Sequence, residues 1–193
     1  LGHDHPVRQC GTTYERNLRG KVGRRRERLS AWYELSPRST SPDISRSGTF
    51  KDVEELLPRV HDLGIDVLYM PPVHPVGRKN RKGRNNATNA MEGEPGSPWA
   101  IGAPEGGHKA ILPELGDIKD YKALIKKAKV NYDIDVALDL AFQCAPDHPY
   151  IEAHPDWFIW RPGGTIMYAE NPPKKYQDIV PINFETSDHK ALW

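Results

Sequence analysis

Apolar residues recur along this chain in two kinds of pattern. Phe50, Val53, Leu56, Leu57, Val60 and Leu63 fall three or four apart, which predicts an amphipathic helix. Thr49 stands where an N-cap belongs and Gly64 where a helix stops. Pro58 lies inside the pattern and is expected to bend or shift the helix. Just downstream, "IDVLYMPPVHP" is a continuous apolar run, as in a strand buried on both faces. A second periodic stretch, "DIKDYKALIKKAKVNY", puts Ile118, Tyr121, Leu124, Ile125 and Ala128 on one face. It leads into another apolar run, "IDVALDLAFQCAPDHP", whose polar groups gather at its far end. Before the first helix, the aromatic-rich "AWYELSPRS" reads as a strand that Pro37 ends.

The predicted order is strand, helix, strand, helix, strand, which implies a parallel sheet. Three such units make either a small open sheet or the first part of a (β/α)8 barrel, which needs about 250 residues. Each strand carries its polar residues at its C-terminal end: Glu34 to Arg38, His74, and Asp139 to His148. In both architectures that end holds the ligand. A long polar excursion, from Val76 to about Leu115, follows the second strand, and a loop of that length is usually functional or disordered. After the third strand, Trp157, Phe158 and Trp160 precede an "RPGG" turn and a short strand, "TIMYA". This small hairpin is expected to present "ENPPKKYQD" over the strand ends. The aromatic faces suit sugar rings; Lys, Asn, Asp and Tyr suit hydroxyls and phosphate.

Composition narrows the picture further. The 193 residues are 37% apolar and include 16 glycines and 18 prolines, so much of the chain is loop. A net charge of +1 does not by itself imply an acidic partner. Residues 1–29 are arginine-rich and lack the interleaved aromatics that stack bases, so they read as a basic linker or solvated helix. No apolar run is long enough for a membrane helix, and no secretory leader is seen. Cys10 and Cys144 lie far apart, which fits a reducing compartment, and no residues show metal-ligand spacing. The chain starts at Leu1 and stops just after the capping residues of "TSDHKALW", so truncation is expected.

Asp139, Gln143, Asp147 and His148 leave the third strand. Asp139 and Gln143 point to the same side if that strand stays regular. His74 and His148 precede prolines without a nucleophile partner, and Cys144 reads as a packed small residue. "RKGRNN", with Lys82, Arg84, Asn85 and Asn86, is by itself a charged loop tip.

Together "GTFKDVEELLPRVHDLGIDVLYMPPVHPVGR", "SPWAIGAPEGGHKAILPELG", "DVALDLAFQCAPDHP" and "YAENPPKKYQDIVPINF" resemble the bacterial maltosyltransferases of the α-amylase superfamily. The resemblance runs from about Ser30 to Trp193 and implies the first three units of a (β/α)8 barrel with loop and hairpin insertions. By position, residues 1–29 resemble the join from an N-terminal domain. Where the wider superfamily ends its third strand in Asp-x-x-x-Asn-His, this chain has Asp139, Gln143 and Cys144, as these transferases do. Ser36 departs from a position where the family often carries an aromatic. The implied donor is α-maltose 1-phosphate and the implied acceptor an α-1,4-glucan. Lys82, Gln143 and Asp178 resemble donor-site contacts, which Asn86 joins. Asn171, Lys174 and Tyr176 resemble the group around the phosphate, on a backbone that Pro172 and Pro173 stiffen. Asp139 matches the position that supports the site.

The resemblance also implies a retaining mechanism whose aspartate nucleophile and glutamate acid–base lie beyond Trp193, so no catalytic residue is expected within the chain. It implies no metal or organic cofactor, no nucleic-acid or membrane partner, and a cytoplasmic homodimer in glycogen or capsular glucan synthesis. Another α-amylase-family hydrolase or branching enzyme is the neighbouring alternative. A non-catalytic glucan- or anion-binding piece is the alternative from a different class.

Overall fold

The structure, a computed structural model, describes Gly20 and residues 22–193. Cys10 and most of the arginine-rich start lie outside the described residues. The elements, in chain order, are α1 (Arg25–Arg28), β1 (Trp32–Glu34), α2 (Phe50–Asp62), β2 (Val67–Met70), α3 (Ile118–Tyr132) and β3 (Asp135–Leu138). Then follow β4 (Gln143–Cys144), α4 (Pro149–Ala153), β5 (Ala169–Asn171), β6 (Lys174–Tyr176), β7 (Val180–Pro181) and α5 (His189–Leu192).

Strands β1, β2 and β3 form one parallel sheet in that order, with Val67 opposite both Trp32 and Asp135. Leu68 and Met70 alternate onto the face that meets α2 and α3, and both are fully buried with Phe50, Leu57 and Leu124. Each such side chain contributes about 1.5–3 kcal/mol by leaving water. Parallel strands in this order, backed by helices, are the arrangement of a partial (β/α)8 barrel. β1 is exposed along its length and β3 is only half-buried, against the expectation of a third strand covered on both faces. The helices cover one side only.

Both long helices begin in capping boxes. Asp52 accepts from the Thr49 N–H at 2.7 Å while its own N–H reaches the Thr49 hydroxyl. Asp117 and Asp120 repeat the motif at α3. Arg46 grips Asp52 through two bonds of 2.9 and 2.7 Å, and with the Thr49 hydroxyl it holds that carboxyl well below the ordinary range. α2 continues through Pro58 to Asp62, because the ring lies on the exposed face and sacrifices only the bond to the Glu54 carbonyl. Leu63, Ile118 and Ile125 were expected on core faces but are exposed, as they sit at the rims of the two apolar stripes. Arg26, in the described part of the basic start, pairs with Asp133 at 2.7 Å, Asp135 at 3.2 Å and Asp66 at 3.4 Å. Among the described residues no helix is long and apolar enough to cross a membrane.

The third strand does not run on as its pattern suggested. It stops at Leu138, and Gln143 belongs to β4, which pairs antiparallel with β7. Asp139 and Gln143 are therefore not neighbours on one regular strand. The reason is local. Asp139 turns to accept from the Tyr69 hydroxyl at 2.6 Å and the Trp99 indole at 2.9 Å, and these bonds draw the chain out of register. "TIMYA" forms only an isolated bridge between Trp160 and Ile166 before β5 begins at Ala169.

Candidate functional site

The C-terminal ends of β1, β2 and β3 face the same way, and the polar excursion folds back over them. Val76 bridges to Ile101, Leu112 bonds to Val73, and Ala145 bonds to Ile101. Arg81 organises the first part of this excursion by donating to the carbonyls of Gly77 and Val76, both at 2.7 Å, and of Glu94 at 3.3 Å. Glu94 in turn accepts from the backbone N–H of Met91 at 2.7 Å and Arg84 at 3.3 Å. A Cβ on Gly83 would meet the Asn89 carbonyl and the Glu94 carboxylate, so this tight loop needs glycine there. The result is that Lys82 turns inward and is only 8% exposed.

The opposite wall comes from β4, β7 and the β5–β6 hairpin. Pairing of Gln143 with Pro181 and of Cys144 with Val180 brings Gln143 close to the segment that carries Asp178. Between the walls lies a cleft of about 590 Å³ lined by Lys82, Asn86, Gln143, Tyr176 and Asp178. Asn171 and Lys174 do not line it. They are the cross-strand pair at the exposed hairpin tip, flanking Pro172 and Pro173. The next pair on the same face, Ala169 and Tyr176, does line the cleft, so Asn171 and Lys174 stand at its rim. Asp139 lies beneath as a tie between β2 and the loop that carries Trp99. Its bond pushes the Tyr69 hydroxyl up to about 12.

The electrostatics of the cleft are unusual for so polar a loop region. Asp178 is 2% exposed and its Oδ1 has no hydrogen-bond partner. Burial raises its carboxyl above the ordinary range, against the opposing effects of a backbone hydrogen bond and the charge of Lys82. Among the described residues no ion pair joins Asp178 to Lys82. A buried cation and a buried anion thus open onto one cavity, each with unused bonding capacity. Such a pair suits a neutral polyhydroxyl ligand that donates to one group and accepts from the other.

Sequence reasoning missed several lining residues, among them Glu94, Ser97, Trp99 and Glu170, and the partner of Lys82, Gln177. A lone tryptophan in a polar excursion was the one available signal. It also assigned sugar-facing surfaces to Trp157 and Phe158. Both are buried in a small core with Cys144 and Val180, because β7 and α5 close over them. Burial pushes the Cys144 thiol far above its usual value, so it is no nucleophile.

A histidine relay supports the connector into β4. The Tyr150 N–H donates to His148 Nδ1 at 3.0 Å, so neutral His148 carries its proton on Nε2. That nitrogen lies 3.0 Å from His108 Nδ1, and His108 Nε2 lies 2.9 Å from the Ala141 carbonyl. Each ring therefore has one tautomer that satisfies every contact, and neither has room for a second proton. Burial lowers His108 and depresses His148 to about 4. An unfolded chain takes up protons between about pH 6.5 and 4 that folded His148 refuses. Stability is thus complete above about pH 6.5 and falls by about 3 kcal/mol as the pH drops to 4. The thermal midpoint of the protein should fall more steeply over that window in the wild type than in His148→Gln. Equal slopes would contradict the relay.

No family model matches the chain. The chain is 54% identical over 193 residues to an alpha-1,4-glucan:maltose-1-phosphate maltosyltransferase of Methylacidiphilum infernorum, covering 100% of this chain and 29% of that protein. It is 48% identical over 188 residues to the protein of the same name from Chlorobaculum tepidum, covering 97% of this chain and 28% of the other. The chain thus spans under a third of the length of these curated relatives. Among solved structures, an alpha-amylase from Lactobacillus plantarum superposes with a TM-score of 0.66 at 29% identity, over 85% of this chain and 33% of that one.

Proposed function

The chain is homologous over its length to one segment of the alpha-1,4-glucan:maltose-1-phosphate maltosyltransferases, and we propose that it is the first part of the catalytic barrel of such an enzyme. Residues 30–193 form that part, and residues 1–29 are the join from a preceding domain. The parent protein transfers maltosyl units from α-maltose 1-phosphate to the non-reducing end of an α-1,4-glucan and releases phosphate. The observation that carries this reading is the cleft in which buried Lys82 and buried Asp178 face one cavity beneath the Asn171–Lys174 rim.

Lys82, Gln143 and Asp178 bind hydroxyls of the donor sugar, with Asn86 at the loop side. Asn171, Lys174 and the Tyr176 hydroxyl surround the phosphate. As the glycosidic C–O bond to phosphate breaks, negative charge grows on the leaving oxygen, and the Lys174 ammonium and Tyr176 hydroxyl stabilise it. The aspartate that attacks the anomeric carbon and the glutamate that serves as acid and base lie downstream of Trp193 in the parent. By the same reading the parent is a cytoplasmic homodimer in glycogen or capsular glucan synthesis, with neither nucleic acid nor membrane as partner.

The test is phosphate release by the full-length parent from maltose 1-phosphate with glucan present. Absence of release sinks the reading. Lys174→Ala should lower kcat/KM for the donor by roughly tenfold or more, since a charge-assisted contact is worth about 1.5–3 kcal/mol. Binding of maltose, which lacks the phosphate, should change little. Unchanged donor kinetics in Lys174→Ala would refute its role.

A further inference from the structure

We propose that Gln177 is a positioning residue for Lys82, acting on the donor through the lysine rather than touching it; this rests on the reading of the cleft as a donor site. Lys82 Nζ donates to Gln177 Oε1 at 2.9 Å, and this is its one hydrogen bond among the described residues. The ammonium has three N–H donors and belongs to a residue that is 8% exposed. One donor is spent on Gln177, and two are left for whatever enters the cleft. Without Gln177 the flexible four-carbon stem has nothing to fix its direction.

Gln177 is itself well held. Its backbone carbonyl accepts from Asn80 Nδ2 at 3.2 Å, so the residue is clipped to the Lys82 loop by main chain as well as by side chain. It stands between Tyr176 and Asp178, which both line the cleft. The neutral amide also has a chemical reason. A carboxylate at this position would form an ion pair with Lys82 and add a second negative charge beside buried Asp178, which already lacks a partner for Oδ1. An amide oxygen orients the cation without neutralising it.

The test uses the full-length parent and maltose 1-phosphate. Gln177→Met keeps the length and apolar stem and removes the acceptor. It should raise the donor KM roughly tenfold with kcat within about twofold, while the thermal midpoint drops by a few degrees at most, because the buried ammonium loses its one bond. In a Lys82→Met background the same change should add nothing, because its only target is gone. Wild-type turnover tests the functional reading by itself. With that turnover in hand, an unchanged KM in Gln177→Met overturns the inference, and so does an equal loss with and without Lys82. A parallel fall in kcat and thermal midpoint assigns Gln177 to the fold and also overturns it.

Discussion

Asp178→Asn in the full-length parent is expected to lower kcat/KM for maltose 1-phosphate by roughly 100-fold while leaving the fold more stable. The two effects have one cause. Asp178 is buried at 2% exposure with an unpartnered oxygen, a costly arrangement in the absence of a ligand. Replacing the carboxylate by an amide of the same shape removes an unpaired buried charge, which should raise the unfolding free energy by about 1 kcal/mol. The same replacement deprives the donor of a charged acceptor, worth about 1.5–3 kcal/mol. A group placed against stability and for function shows this opposition. Initial-rate kinetics and a denaturation curve on the same preparation check it. Loss of stability together with full activity would mean that Asp178 serves the fold and not the site.

The second large effect belongs to Gly107. Its backbone is left-handed at φ 55°, and a Cβ there would collide with the buried His148 ring. Alanine must bear both the unfavourable backbone region and the overpacking, together about 3 kcal/mol or more. The His148 ring has no free space to yield, since Tyr150, His108 and the loop surround it. Gly107→Ala should therefore lower soluble yield and the thermal midpoint of the parent by several degrees. Because the relay ends on the Ala141 carbonyl, two residues before Gln143, the donor KM should rise as well. Gly163→Ala is the control: nothing lies within 4 Å of a Cβ built there, and it should be silent. A silent Gly107→Ala would contradict the packing of the relay.

The legible parts of this fold were those that local physics decides. The 3.6-residue spacing of Phe50, Val53, Leu57 and Val60, with a threonine cap, marked α2. The apolar run through Leu68 and Met70 marked the central strand. What escaped depended on partners distant in sequence. "DLAFQC" continues to look like strand, yet the chain leaves the sheet at Asp139 for bonds to Tyr69 and Trp99, and Gln143 finds its ladder with Pro181 instead. Likewise "RKGRNN" is uniformly polar, and nothing in it tells that Lys82 is inside while Arg84 is out. The bonds of Arg81 and Glu94 shape the loop that turns Lys82 inward, and the hydrogen-bond partner of Lys82, Gln177, lies 95 residues away. Lys82, Gln143 and Asp178 were named by resemblance. Bottom-up reading alone reached the strand ends and the proline-rich hairpin, and not the cavity between them.

The most direct test of the central claim is a crystal structure of the full-length parent with maltose 1-phosphate bound. The account predicts donor hydroxyls within hydrogen-bonding distance of Lys82, Gln143 and Asp178, and phosphate oxygens at Asn171, Lys174 and Tyr176. A donor bound elsewhere on the barrel, with this cleft filled only by water, would contradict it.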